Sequence, residues 1–218
     1  MKYPRTYHLP WSPGATNDDK RLGEGWFDYY KGKEIVITEK LDGENIHIDQ
    51  RGVYARSDGA PTTSPWSRNM WDQNDGLYWR IKPLIGEDET IYGENLYGEH
   101  SIHYDCLTDY FHVFAVNDGF IWYDWDSVKE FANLLGVPHV PELGRFTVRD
   151  EREIREFIEN WMTQESTYST GQGEGVVVRL ASDFPIKDFP HYVCKYVRPN
   201  HVQTDEHWTK NWQKARLI

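Results

Sequence analysis

The stretch that decides the fold is Lys40-Leu41-Asp42-Gly43-Glu44-Asn45. Before it, the β-branched run of residues 34–39 predicts a strand, and the Asp-Gly pair predicts a tight turn. After it, the alternating polarity of residues 46–49 predicts a second strand that folds straight back on the first. A lysine at a strand end beside such a turn would be partly buried, with a pKa low enough to make its amine a nucleophile. An exposed lysine on an ordinary hairpin is the alternative interpretation.

Length and composition predict one globular domain. The 218 residues suffice for a single well-buried core, and no Pro-, Gly- or Ser-rich linker divides them. The 27% of charged residues and the mean hydropathy of -0.76 argue against a membrane span or a membrane partner. The N-terminus lacks the apolar core of a signal peptide, and only Cys106 and Cys194 could form a disulfide. We therefore expect a cytoplasmic protein with two unpaired thiols.

The net charge of -11 is unfavourable for a nucleic-acid partner, because phosphate binding depends on an excess of Lys and Arg. The segment from Lys195 onward is an exception, with five basic residues against two acids. The aromatic residues of this tail, from His201 to Trp212, could stack on bases or dock the tail on the core. Any contact with nucleic acid must come from local patches of this kind.

Outside the Lys40 stretch, the pattern predicts short strands and a few helices. Residues 3–30 predict a long ordered loop. Strands are predicted at 52–59, 90–99, 111–116, 175–180 and 192–197. Helices are predicted at 67–82, 124–136, 148–163 and 200–214. For the second helix Asp124 or Asp126 is the expected N-cap and Gly136 the terminator, and for the third Thr147 and Asp150 predict a capping box.

Chemically informative residues recur in one order along the chain. They are Glu39-Lys40-Leu41-Asp42-Gly43, Arg56-Ser57, Tyr92-Gly93-Glu94-Asn95, Phe114, Glu174-Gly175-Val176-Val177-Val178 and Lys195. Each motif alone is weak, but the ordered set resembles the covalent nucleotidyltransferase superfamily of ATP-dependent ligases and capping enzymes over residues 35–200. Three features resemble, more narrowly, the phage and bacterial RNA ligases. They are Asn45, the opening Pro4-Arg5-Thr6-Tyr7-His8-Leu9-Pro10, and the stretch Tyr92-Gly93-Glu94-Asn95-Leu96-Tyr97-Gly98.

The resemblance implies an α+β nucleotidyltransferase (adenylation) domain, with antiparallel β-sheets around an ATP pocket and peripheral helices. Only about twenty residues follow Lys195, which is too short for an OB-fold, so none is expected. We expect one domain over 1–218, divided into an N-terminal loop region (1–33), a catalytic core (34–198) and a basic C-terminal tail (199–218).

The implied activity is ATP-dependent joining of a 5′-phosphate to a 3′-hydroxyl on RNA. Lys40 would displace pyrophosphate from ATP and hold AMP covalently, with Mg²⁺ or Mn²⁺ as the metal. The AMP would then pass to the 5′-phosphate, and the 3′-hydroxyl would displace it. ATP and RNA ends are the expected partners of a monomer, and repair of RNA breaks is the hypothetical role.

The resemblance also implies roles for individual residues. The expected catalytic residues are Lys40, Lys195 and Asp42. The expected nucleotide-binding residues are Glu39 and Phe114 (adenine), Glu94 (ribose), Lys40, Asn45, Arg56 and Lys195 (phosphates and strand end) and Glu174. Glu174 is also the expected metal-binding residue, acting through water. Asp42 would orient Lys40.

The sequence departs from the family pattern at the last motif. The family usually carries two lysines one residue apart there, whereas Val193 and Val197 flank Lys195. Arg198 or Lys187 could supply the missing cation. Two further motifs carry no chemistry in this interpretation. The glycine series 171–175 precedes a strand rather than the helix of a dinucleotide-binding loop, and the His/Cys series 100–106 lacks a fourth metal ligand.

Three alternatives remain open. A DNA nick-sealing ligase would share the ATP chemistry, and a capping enzyme would take GTP. A nucleotide- or nucleic-acid-binding module that has lost turnover would fit the acidic charge and the incomplete last motif, although such a module gains nothing from a nucleophilic lysine. The sequence also leaves open whether the substrate is a nick, two single strands or a cleaved tRNA loop.

Overall fold

A computed structural model describes residues 1–56, 59–200 and 212–218. Within these residues the strands are β1 (Tyr7–His8), β2 (Glu34–Lys40), β3 (Glu44–Asp49), β4 (Gly52–Ala55), β5 (Thr90–Asn95), β6 (Phe111–Asn117), β7 (Ile121–Trp122), β8 (Glu142–Thr147), β9 (Gly175–Leu180), β10 (Phe184–Pro185) and β11 (Val193–Val197). The helices are α1 (Arg68–Trp71), α2 (Leu77–Ile81), α3 (Trp125–Leu135), α4 (Glu151–Trp161) and α5 (Phe189–Tyr192). The predicted α+β class is confirmed.

The strands form two sheets. Sheet A has the order β1-β11-β9-β2-β8, and sheet B has the order β10-β7-β6-β5-β3-β4. The pairings are antiparallel as predicted, except that β1 lies parallel to β11. β1 therefore attaches the N-terminal region directly to the strand that carries Lys195.

The predicted return of the second strand onto the first is wrong. β2 pairs with β8 and β9, whereas β3 pairs with β4 and β5, so the chain crosses from sheet A to sheet B between Lys40 and Glu44. The crossing is tight because a Cβ on Gly43 would lie 2.6 Å from the carbonyl oxygen of Asn95. Lys40 is consequently the last residue of β2 in sheet A, just before the chain enters sheet B.

Two long helices pack on the outer faces of the sheets. α3 lies against β6, and α4 covers the buried residues Ile35 and Ile37 of β2. As predicted, Asp124 caps α3 by accepting a hydrogen bond from Ser127 N (3.0 Å), and Gly136 ends the helix at φ 67°.

Two secondary-structure predictions need correction, and a third stays a prediction. The capping box of α4 is formed by Asp150 and Glu153, because Thr147 belongs to β8, a strand without a clear polarity pattern. The helix predicted at 67–82 is broken into α1 and α2, since the carboxylate of Asp72 accepts from Asn74 N (3.0 Å) and turns the chain. The helix predicted at 200–214 and the proposed stacking residues of the tail fall mostly on 201–211, outside the described residues.

In the part of the chain that the structure describes, no helix combines the length and apolarity that a bilayer crossing needs.

Candidate active site

A cavity of about 250 Å³ lies between the two sheets. Strand register explains which residues reach it, because paired residues on neighbouring strands point to the same face. Sheet A contributes Thr38, Lys40, Val177, Arg179, Val193 and Lys195. Sheet B contributes Asn45, Glu94 and Phe114, and Arg56 follows β4 into the lining. Most of the residues predicted for the site are thus brought together.

Lys40 and Glu174 form an ion pair at the C-terminal end of β2, with 2.6 Å between Nζ and Oε2. Burial alone would lower the pKa of Lys40, but the carboxylates of Glu174 and Glu94 outweigh it and raise the pKa above its ordinary value. The expectation of a lowered pKa is therefore wrong for this state. In this state the ion pair holds the amine protonated.

Glu94 is nine-tenths buried, and its Oε1 accepts a hydrogen bond from Gly43 N (3.1 Å). Burial raises its pKa to about 8, with Lys40 opposing the shift and Glu174 adding to it. At neutral pH the Glu94 carboxyl is therefore held largely protonated in this state.

Asp42 does not contact Lys40. Its Oδ2 accepts from the backbone N–H groups of Ser101 (2.8 Å) and Ile102 (3.1 Å), and its own N–H donates to the Tyr104 hydroxyl (2.7 Å). Asp42 thus fixes the turn after Lys40 to the chain that follows β5. Its charge still contributes to the raised pKa of Lys40.

Lys195 lines the same cavity from β11. Burial and the charge of Lys40 lower its pKa to about 8, so a bound phosphate would restore the charged form. Neither residue predicted to replace the second lysine of the last motif lines the cavity. Arg198 donates from Nε to Gly173 O (2.9 Å), and Lys187 is exposed after β10. Arg56 is a cation in the lining whose charge also acts on Lys195.

Phe114 owes its orientation to a β-bulge. Tyr92 pairs with Ala115 and Gly93 pairs with Val113, so Phe114 is an extra residue on β6. Bulges re-aim a side chain locally, and here the ring lines the cavity. A flat aromatic face beside the aliphatic Val177 is suited to hold a planar base.

Glu39 borders the cavity, but its carboxylate is already hydrogen-bonded. Oε1 accepts from the Ser166 hydroxyl and Oε2 accepts from Thr167 N (3.0 Å). Because side chains alternate along β2, Glu39 and Lys40 point to opposite faces of sheet A. Contact between this carboxylate and a bound base therefore stays a prediction.

Two residues of the lining escaped the sequence analysis. Arg179 is buried, and its guanidinium donates to carbonyl oxygens of Leu180 (3.1 Å) and Tyr123 (2.5 Å), while burial lowers its pKa to about 10. Its position two residues after Val177 is a signal that could have found it. The second residue, Tyr3, lies in the N-terminal segment.

Tyr3 closes the apolar end of the cavity. Its ring centroid lies 4.9 Å from that of Phe114, 5.1 Å from Phe189 and 5.5 Å from Trp122. Burial raises the pKa of its hydroxyl. No local pattern in the sequence marks Tyr3, because only the pairing of β1 with β11 brings the N-terminus here.

The donors present suit a hard divalent cation that arrives with a substrate. Among the residues that the structure describes, no three His, Cys, Asp or Glu side chains form a metal-binding group by themselves. Mg²⁺ is usually held by one or two carboxylates together with substrate phosphates and water. Glu174, with Glu94 nearby, fits that requirement.

Solved structures with the same fold are ligases. They include a protein from Aquifex aeolicus named as a candidate ATP-dependent DNA ligase (20% identity, 90% of this chain and 50% of that chain, TM-score 0.55). An archaeal ATP-dependent RNA ligase is similar, with 16% identity and a TM-score of 0.55 over 90% of this chain and 48% of that chain. A Naegleria gruberi RNA ligase variant with ATP and Mn is also similar, with 13% identity and a TM-score of 0.55 over 91% of this chain and 60% of that chain. The chain spans about half the length of the first two. At these identities the likeness establishes the ligase nucleotidyltransferase fold.

A family comparison is more specific. The family model described as RNA ligase matches residues 33–197, well over half of the chain. The chain therefore belongs to the RNA ligase family, which confirms the resemblance found in the sequence motifs. No curated protein sequence gives a significant match.

Proposed function

We propose that this chain is an ATP-dependent RNA ligase, which joins a 5′-phosphate to a 3′-hydroxyl through an AMP held on Lys40. The observation that carries the proposal is the Lys40–Glu174 pair at the cavity, in a chain of the RNA ligase family. The cavity supports nucleotide binding because its apolar end suits a base and its other end gathers Lys40, Arg56 and Lys195 for phosphates.

In this proposal the adenine stacks on Phe114 and the ribose hydroxyls donate to Glu94. The α-phosphate then lies between Lys40 and Lys195. Mg²⁺ or Mn²⁺, held through Glu174 and the phosphates, would supply positive charge to offset the charge that builds on the α-phosphate. The complex of the Naegleria gruberi protein with ATP and Mn supports this choice of nucleotide and metal class.

The ion pair with Glu174 also controls the nucleophile. When the Glu174 carboxylate is engaged elsewhere, its upward effect is lost and the pKa of Lys40 falls, so the amine loses its proton more readily. The neutral Nζ attacks the α-phosphorus, an N–P bond forms, and the P–O bond to pyrophosphate breaks. Lys195 and Arg56 offset negative charge as this happens.

Two transfers complete the reaction. An oxygen of the RNA 5′-phosphate attacks the α-phosphorus, forms a P–O–P link to AMP and releases the Lys40 amine. The 3′-hydroxyl then attacks the 5′-phosphate, forms the phosphodiester bond and expels AMP. Repair of broken RNA is the biological role that we propose for this activity.

Labelling with α-labelled ATP and Mg²⁺ tests the proposal. Wild-type protein should retain label after denaturation, Lys40→Ala should retain none, and Lys31→Ala, at an exposed lysine in the turn before β2, should behave as wild type. Absence of label from wild-type protein, shown by mass spectrometry to be free of bound AMP, would overturn the proposal in favour of a binding module.

DNA sealing is the second candidate, because one similar structure is a candidate DNA ligase. Nicked duplexes that carry RNA or DNA on either side of the nick discriminate the two. Efficient joining only where the 3′-hydroxyl strand is RNA supports the RNA ligase, and equal joining of all-DNA nicks supports the alternative. Labelling by GTP in place of ATP would indicate a capping enzyme.

Two broader expectations belong to the same proposal. Two cysteines in the whole chain are in keeping with a reducing compartment such as the cytoplasm. The large hydrophobic side chains that are exposed, such as Trp79, Phe120 and Leu134, lie on separate elements, which supports a monomer. Sedimentation of the purified protein tests the second point.

A further inference from the structure

A second cavity, of about 380 Å³, lies outside the nucleotide cavity. It runs between the α1–α2 segment and the chain that leaves β5 and enters β6, and the C-terminal segment crosses it. We name it the α1–α2 groove. Its chemically informative lining residues are Arg68, Arg80, Lys214, Tyr97 and Tyr110.

The groove collects basic side chains in an acidic protein. Arg68, Arg80 and Lys214 face the acids Asp75 and Asp109, whereas the whole chain carries a net charge of -11. Arg68 is ion-paired with Asp72 (2.8 Å between Nε and Oδ2), and Asp109 Oδ1 accepts from the N–H groups of Tyr110 (2.6 Å) and Phe111 (3.2 Å). Arg80 and Lys214 form no ion pair with any residue in the described ranges.

The groove also has an aromatic wall. The rings of Tyr97 and Tyr110 meet edge to face with centroids 5.0 Å apart. The Lys214 ammonium lies over both rings, 5.0 and 5.5 Å from their centroids. Half-buried rings beside exposed cations are a combination that suits single-stranded nucleic acid, since bases stack on rings while phosphates meet cations.

The groove is connected to the nucleotide cavity through β5. Asn69, in the groove lining, donates from Nδ2 to Asn95 Oδ1 (2.9 Å). Asn95 follows Glu94, and side chains alternate along a strand, so the two residues serve opposite faces of the same strand end. A nucleic-acid strand that leaves the Lys40 site and passes around this end of β5 would therefore reach the groove next.

We infer that the α1–α2 groove is a docking site for the single-stranded RNA next to the end being joined. Phosphates meet Arg80 and Lys214, and as the Lys214 ammonium turns from the rings to a phosphate, a base takes its place against Tyr97 or Tyr110. The identity of this ligand as RNA rests on the proposed function. An acidic protein segment would use the same cations but would leave the aromatic wall without a role.

Binding of a fluorescent single-stranded RNA of about a dozen nucleotides tests the inference by anisotropy over a salt series. Arg80→Glu and Lys214→Glu should each weaken binding by about tenfold and flatten the dependence of log affinity on log salt. Lys31→Glu makes the same charge change at an exposed position in the turn before β2, and it should weaken binding by no more than about twofold. Labelling of Lys40 by ATP should be unchanged in all three variants.

Equal loss of affinity in the groove variants and in Lys31→Glu would overturn the inference, because it would reduce the effect to net charge. Unchanged RNA binding with loss of binding to a polyglutamate peptide would overturn it in favour of a protein ligand. Arg80→Gln and Lys214→Gln, which add no negative charge, should show intermediate losses if each side chain contacts phosphate. Failure of wild-type protein to label with ATP would contradict the proposed function and leave the RNA-binding result to be judged separately.

Discussion

The amine of Lys40 is paired with the carboxylate of Glu174 in this structure. The motif predicted that Lys40 would be buried and reactive, and Lys40, Glu94 and Lys195 do line one cavity. The sign of the pKa shift could not be predicted, because Glu174 lies 134 residues away in sequence and reaches Lys40 only in the fold. Under the proposed function Glu174 has two opposed effects: it keeps Lys40 charged in the ion pair, and it releases the amine when its carboxylate is engaged elsewhere.

Replacing Glu174 with Gln separates these two effects. Without the carboxylate, burial lowers the pKa of Lys40, so the rise of the Lys40 labelling rate with pH should move to lower pH. The maximal rate should fall by about tenfold or more, because charge compensation at the α-phosphate is lost. The measurement is the single-turnover rate across a pH series at saturating ATP and metal. Glu24→Gln, at an exposed acid, is the control, and a pH profile of Glu174→Gln that superimposes on wild type would contradict the account.

Tyr3 gives a test of the apolar end of the cavity. Tyr3→Ala should raise KM for ATP in the labelling reaction by about tenfold with a smaller change in kcat, because the ring packs against Phe114 where the base is expected. Tyr3→Phe keeps the ring and should stay close to wild type. Tyr29→Ala removes an exposed ring stacked on His191 and serves as the control. An unchanged KM in Tyr3→Ala would exclude a role for this wall in base binding.

At the scale of elements, the positions of the strands were predicted better than the pairing between strands. Residues 175–180 were predicted as a strand with the observed bounds, since β-branched runs bounded by turns depend on local sequence. The pairing of β2 away from β3 was missed, because an Asp-Gly turn fits a hairpin and a crossing between sheets equally well. β8 was missed because its residues are mostly half-exposed and show little alternation.

Gly175 tests how closely the sheet A strands must approach. A Cβ at this position would collide with the carbonyl oxygen of Tyr196 on β11, so Gly175→Ala must push β11 away from β9. We expect a loss of unfolding free energy of about 2 kcal/mol or more. We also expect slower labelling of Lys40, because Lys195 moves with β11. Gly171→Ala has ample space, its nearest neighbour being Ser169 Oγ at 3.6 Å, and is the control. Equal stability and labelling in the two variants would show that β11 tolerates the displacement.

At the scale of the whole molecule, the acidic composition and an RNA substrate are compatible because the cations are unevenly distributed. Lys40, Arg56 and Lys195 gather at the nucleotide cavity, and Arg80 and Lys214 gather at the α1–α2 groove. Net charge could not predict this arrangement, because it depends on which strand ends and segments meet.

Buried histidines set the acid limit of the fold. Burial lowers the pKa of His8 and His47 to about 4 and that of His112 to about 3, from an ordinary value of 6.5. Between about pH 6.5 and 4 the unfolded chain therefore binds more protons at these residues than the folded protein does, so stability falls as pH is lowered. Glu94, with a pKa raised to about 8, acts in the opposite sense between about pH 8 and 4.5. Among these four groups, three histidines against one carboxyl favour greater stability near neutral pH than in acid, which thermal unfolding across a pH series checks.

His112 allows this balance to be tested at one residue. Both ring nitrogens are buried and find no hydrogen-bond partner among the described residues, so the ring contributes unpaired polar atoms to the core. His112→Leu should raise the unfolding free energy by about 1 kcal/mol at neutral pH, because it removes those atoms. The gain should grow as pH falls from 6.5 towards 4, because Leu cannot take up the proton that the unfolded histidine binds. His103→Leu, at an exposed histidine, should change neither value. If the difference between His112→Leu and wild type stayed constant with pH, buried histidines would not be what limits the fold in acid.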